Sequence, residues 1–78
     1  MTAVDLVFDG ETDEGEAVLG RWYYGDGDHV ESGAVVCEVM ISKAAIEVTA
    51  PISGRLFIVT AVEQPVTRGM KLGVLTTQ

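Results

Sequence analysis

At 78 residues and 47% hydrophobic, the chain makes one small domain, with enough apolar material for a compact core and too little length to wall an enzyme cleft around a cofactor. A net charge of −7 argues against nucleic acid and anionic membrane as partners, since both select basic surfaces. The single cysteine excludes an intrachain disulfide, and no apolar run approaches the roughly 18 residues of a membrane span.

Val4 to Phe8 reads as a first strand, with Val4, Leu6 and Phe8 on one face. Residues 9–16 then carry five carboxylates and two glycines, a composition that repels itself in a sheet and predicts an exposed loop. Ala17 to Tyr24 is a second strand, Gly25 to Asp28 a turn, and Val30 starts a short third strand. Val35, Val36, Val39 and Ile41 form an apolar, β-branched run. Beyond it, Ile46, Val48 and Ala50 alternate with Glu47 and Thr49, the period of a half-buried strand. Only Ser42 and Lys43 separate these runs, with Ala44 closing a tight hairpin for which, lacking Gly or Asn, a type I turn is expected. Lys43 at such a tip presents its amine to solvent from a stiff support.

The second half repeats the first. Val30, Gly33, Val36 and Val39 recur as Val66, Gly69, Leu72 and Leu75 at a constant offset of 36, while Leu19 and Trp22 recur as Leu56 and Val59 at 37. Two copies of a four-strand unit predict two similar sheets related by a pseudo-twofold axis, closed into a flattened barrel or sandwich, with Lys43 on the hairpin that joins the copies. The spacing of three between Val36 and Val39, and between Leu72 and Leu75, breaks alternation and calls for a bulge or a strand crossing between sheets. The expected core is Leu6, Val18, Trp22, Val30, Val36, Val39, Ile46, Val48, Leu56, Val59, Val66, Leu72 and Leu75. No segment fits a helix of ordinary length.

The hairpin resembles the lipoyl/biotinyl attachment family. Lipoyl members typically read Glu-Thr-Asp-Lys-Ala, an alternating strand, and then Ala-Pro-x-x-Gly. Here the register gives Met40-Ile41-Ser42-Lys43-Ala44 and Ala50-Pro51-Ile52-Ser53-Gly54. The lysine, the alanine after it and the Ala-Pro-x-x-Gly match, whereas Met40, Ile41 and Ser42 replace the Glu, Thr and Asp. Biotinyl members usually read Met-Lys-Met, and Ser42 and Ala44 flank the lysine here instead. The aromatic run Trp22-Tyr23-Tyr24 ahead of Gly27-Asp28-His29-Val30 also resembles the family, and the likeness runs from Val4 to Leu75.

The resemblance implies an all-β barrel-sandwich, residues 1–78 as a single carrier domain, and no catalysis by the domain itself. It implies covalent lipoate on Lys43, with biotin as the alternative cofactor. The implied partners are a lipoate ligase or lipoyl transferase, a thiamine-dependent 2-oxo acid dehydrogenase, an acyltransferase and dihydrolipoyl dehydrogenase. By the same likeness the loop after the first strand takes part in recognition, which nominates Glu11, Asp13 and Glu14; the plain reading of that loop is a solvated acidic face. Three classes of function stand side by side: a lipoyl carrier, a biotinyl carrier of a carboxylase, and an unmodified barrel used as an interaction module. Lys71, the other lysine, is expected to be solvated; His29 is expected at the surface and Cys37 in the core. The opening Met-Thr-Ala-Val-Asp lacks the basic start and apolar stretch of a signal peptide, so cytoplasm or an organellar matrix is the expected location.

Overall fold

The computed structural model describes residues 2–9, 17–42 and 44–77. They contain eight strands and no helix: β1 (Thr2–Val7), β2 (Ala17–Trp22), β3 (His29–Val30), β4 (Val35–Ile41), β5 (Ala44–Thr49), β6 (Gly54–Ile58), β7 (Pro65–Val66) and β8 (Lys71–Thr77). They form two four-stranded antiparallel sheets, ordered β1-β8-β6-β3 and β5-β4-β2-β7. The body measures 39 × 19 × 19 Å. This is the symmetric all-β fold expected from the repeat and the barrel-sandwich implied by the resemblance.

The pseudo-twofold axis exchanges β1 with β5, β8 with β4, β6 with β2 and β3 with β7. Each short strand crosses to the sheet of the other half, β3 joining β6 and β7 joining β2, so neither repeat closes a core by itself. Hydrogen bonds repeat in pairs. Gly27 donates to the Leu56 carbonyl and Glu63 to that of Leu19, while Gly33 donates to Ala50 and Gly69 to Phe8. Gly33 and Gly69 both take the left-handed conformation, with φ of 88° and 86°, which is open to glycine at no steric cost. The recurring glycine of the repeat is therefore a backbone requirement of the turn between each short strand and the long strand that follows.

The broken alternation resolves as two equivalent bulges. Across β4 and β5 the register passes from Val35↔Thr49 to Cys37↔Val48, and across β8 and β1 from Lys71↔Val7 to Gly73↔Leu6. The extra residues are Val36 and Leu72. Each bulge lets consecutive residues point inward, so Val36 and Cys37 are both buried, as are Leu72 and Gly73.

Leu6, Val30, Val36, Val39, Leu56, Val66, Leu72 and Leu75 are buried as expected, together with Phe8, Leu19, Cys37, Ile41 and Ala50. Trp22, Ile46 and Val48 are partly buried against that core. Two expectations are corrected. Val59 is 56% exposed, because β6 ends at Ile58 and the chain turns outward there. Val18 is only partly buried and its neighbour Leu19 is fully buried, because the inward phase of β2 is set by Ala17 and Leu19. The second strand also ends at Trp22, not Tyr24.

A candidate cofactor-attachment hairpin

The ladder between β4 and β5 runs without interruption from Cys37↔Val48 through Glu38↔Glu47, Val39↔Ile46 and Met40↔Ala45 to Ile41↔Ala44. The loop it leaves is therefore the two residues Ser42 and Lys43. Ser42 has φ of +52°, the conformation of the first central residue of a primed turn, so the expected type I turn is corrected. The physical reason is twist: a two-residue loop must match the right-handed twist of its strands, and primed turns do so where type I turns splay them. Serine lacks the glycine or asparagine signal for such a turn, which is why the sequence alone points elsewhere. Ser42 and Ala44 are both exposed. Lys43 itself lies outside the described residues, as do Glu11, Asp13 and Glu14.

Support for the hairpin comes from β2. Ala17 sits opposite Ile41 and Val18 opposite Met40, so the chain emerges from the acidic 9–16 segment beside the base of the hairpin. Ile41, at its root, is 9% exposed and belongs to the main core. Burying such a side chain contributes roughly 1.5–3 kcal/mol, which anchors the last ladder rung before the turn. On the outer face of this sheet, Glu38 stands opposite both Arg21 and Glu47. Tyr23 donates its hydroxyl to Glu38 at 2.9 Å, and the Arg21 guanidinium lies 5.4 Å from the Tyr23 ring centre. The hydrogen bond to Glu38 raises the Tyr23 pKa above its ordinary value, with a smaller contribution from desolvation. Arg21 and Tyr23 thus compensate the repulsion of two glutamates paired across the ladder.

The other motif residues have structural work. Ala50 is buried and bonded through both backbone groups, donating to Ala34 and accepting from Gly33. Gly54 packs so closely on the carbonyl of Thr76 that a Cβ there would collide with it. Asp28 accepts the Gly25 N–H at 2.7 Å and Asp26 accepts the Ile58 N–H at 2.7 Å. The Gly25-Asp26-Gly27-Asp28 turn is thereby held by side-chain caps, and both carboxylates are committed to backbone donors. Among the described residues no cluster of three His, Cys, Asp or Glu has the geometry to hold a metal. Cys37 is fully buried, and desolvation pushes its pKa to about 12, so the thiol is neutral and inert at pH 7. His29 is exposed and pairs with Glu31 at 2.8 Å. Lys71, expected to be solvated, pairs with Asp5 at 3.6 Å while remaining half-exposed. The Trp22 indole donates to the Thr60 carbonyl at 2.9 Å, a link between the halves that Trp22's place in the repeat does not signal.

The two halves of this symmetric barrel-sandwich meet at the turn between Ile41 and Ala44. A family model described as "Biotin-requiring enzyme" matches residues 10–75, and the chain belongs to that biotin/lipoyl attachment family, whose domains carry a cofactor and do not catalyse. Among solved structures, the urea carboxylase of Kluyveromyces lactis is similar at 25% identity and a TM-score of 0.79, over 97% of this chain. The chain spans 6% of that enzyme. The lipoyl domain of the 2-oxoglutarate dehydrogenase complex from Azotobacter vinelandii shares the fold, with 22% identity, a TM-score of 0.71, and coverage of 99% of this chain and 98% of that one. No curated protein matches the chain.

Proposed function

We propose that the chain is a lipoyl carrier domain, with the cofactor joined as an amide to Nζ of Lys43. The observation that carries this reading is the ladder closing at Ile41↔Ala44, which leaves Lys43 as the second residue of a two-residue loop. The exposed flanks Ser42 and Ala44 give a modifying enzyme access, so the residues present fit covalent attachment. Lipoate over biotin is favoured by those same flanks, which depart from the Met-Lys-Met of biotinyl members. When bound, the lipoyl group supplies a dithiolane that accepts an acyl group and electrons together, and the enzymes supplying the remaining chemistry are a 2-oxo acid dehydrogenase, an acyltransferase and a flavoprotein dehydrogenase. The chain's own part is mechanical and electrostatic. The β4–β5 ladder gives the hairpin a regular base up to Ile41↔Ala44, the tether raises the effective concentration of the arm at each active site, and amidation removes one positive charge from a chain already at −7. Glu11, Asp13 and Glu14 are proposed to steer the domain to a basic partner surface. The cytoplasm or an organellar matrix is the proposed setting.

A biotinyl carrier is the second reading, favoured by the likeness to a urea carboxylase over nearly the whole chain. Intact mass separates the two. The protein is coexpressed with lipoate ligase and lipoate, or with biotin ligase and biotin. A lipoyl-sized gain that vanishes in Lys43→Arg, with the fold unchanged by circular dichroism, is the expected result. A biotin-sized gain alone transfers the assignment to the second reading, and no gain in either arm leaves an unmodified interaction module.

A further inference from the structure

β1 and β5 are the outermost strands of their sheets, each bonded to a single neighbour. They border one groove of about 320 Å³. Leu6, Ile46 and Val48 form its apolar floor, and Asp5, Asp9 and Glu47 lie along its length. Ile46 and Val48 point inward by alternation yet remain partly exposed, because the groove opens over them. Among the described residues no hydrogen bond crosses the groove. Half of the N–H and C=O groups of an edge strand point away from its sheet, and such a row is a template for another strand. The charge around it is lopsided: Lys71 offsets Asp5, whereas Asp9 and Glu47 have no ion-pair partner among the described residues.

We propose that this groove takes up an extended, basic segment of a partner protein, added as a strand to the free edge of β5. Three features select that occupant. The open backbone edge supplies hydrogen bonds to any extended chain; the apolar floor accepts every second side chain; the carboxylates of Asp9 and Glu47 favour lysine or arginine at the positions between. The strand so engaged is the one that follows Lys43 directly in the chain. The proposal does not depend on which cofactor Lys43 bears, or on its bearing one.

The test is titration of the ¹⁵N-labelled chain with the capped peptide acetyl-Val-Lys-Val-Lys-Val-Lys-amide. The expected result is chemical-shift change confined to residues 5–9 and 44–51, with slowed amide exchange along the outer edge of β5. A peptide methylated on alternate backbone nitrogens keeps the charge but cannot add as a strand, and it binds at least about tenfold more weakly. Glu47→Lys, an exposed change checked by the native spectrum, weakens binding by about tenfold as well. Equal binding of the methylated peptide overturns the proposal, as do shift changes centred elsewhere or none at all. Concentration-dependent broadening of the groove residues without peptide makes the occupant a second copy, and overturns it too.

Discussion

The two halves share a backbone and fill it differently. Trp22 reaches across to Gly73, its ring lying 3.4 Å from where a Cβ on that glycine would stand, and its indole binds Thr60. The symmetry-related residues are Val59 and Cys37. There the first residue is mostly exposed and the second fills its own place in the core. Space is thus matched within each pair, large against small in one half, and a repeat of single apolar positions cannot reveal which member of a pair is buried. The connections differ as well. Residues 50–53 lead from β5 to β6, whereas residues 8–16 lead from the equivalent β1 to β2, so the acidic segment is an insertion into one copy only. The ladder that closes at Ile41↔Ala44 in one sheet has its counterpart, in the other, in the rung Thr2↔Thr77.

Imposing the symmetry on the core should produce the largest change. Gly73→Cys puts a side chain against Trp22 and the Phe57 carbonyl, and should destabilise the protein by about 1–3 kcal/mol in urea unfolding. Adding Trp22→Val should cost less than the sum of the two single changes, since it relieves the contact with the ring, while the closer contact with the Phe57 carbonyl stays. Additive costs would mean that the pair is not spatially coupled.

Cys37 sharpens the contrast through pH. Its folded pKa, about 12, lies above the ordinary 9.0, so the folded state holds the proton more tightly than the unfolded one. The stability this confers is intact below about pH 9 and is lost as pH rises toward 12, at up to about 1.4 kcal/mol per pH unit. Denaturation midpoints measured between pH 9 and 10 should fall faster for the wild type than for Cys37→Ala, which has no equivalent on β8 because Gly73 stands there. Parallel slopes would remove the thiol from the account.

The smallest effects are expected at the turns. Glu63 has φ of +73° where its counterpart is Gly27, so Glu63→Gly should relieve strain and raise stability by about 0.5 kcal/mol, or a few degrees in Tm. Ser42→Asn should do the same at the hairpin, since asparagine tolerates the left-handed region better than serine. A drop in Tm for either would show that the original side chain makes a contact worth more than the backbone strain.

Much of this protein was legible before folding. Alternation marked β5, the repeat at 36 located β3, β7, β4, β8 and the symmetry axis, and the spacing from Val36 to Val39 called for a bulge or a crossing, of which the bulge appears, in both copies. The lysine's place between the copies followed from the same repeat, since periodicity and chain order are local properties of a sequence. Other features had no local signal. The hand of the Ser42 turn comes from the twist of the two strands it joins, the exposure of Val59 from the end of β6, and the role of Gly54 from the carbonyl of Thr76 some twenty residues away. The open groove between β1 and β5 belongs to neither repeat; it exists because two strands, distant in the chain, end their sheets on the same side. Amino-acid order alone determined the strands and the symmetry that relates the two copies. Which side chains share a space, and which edges stay open, was decided by three-dimensional contact, where non-local sterics and twist outweigh local preference.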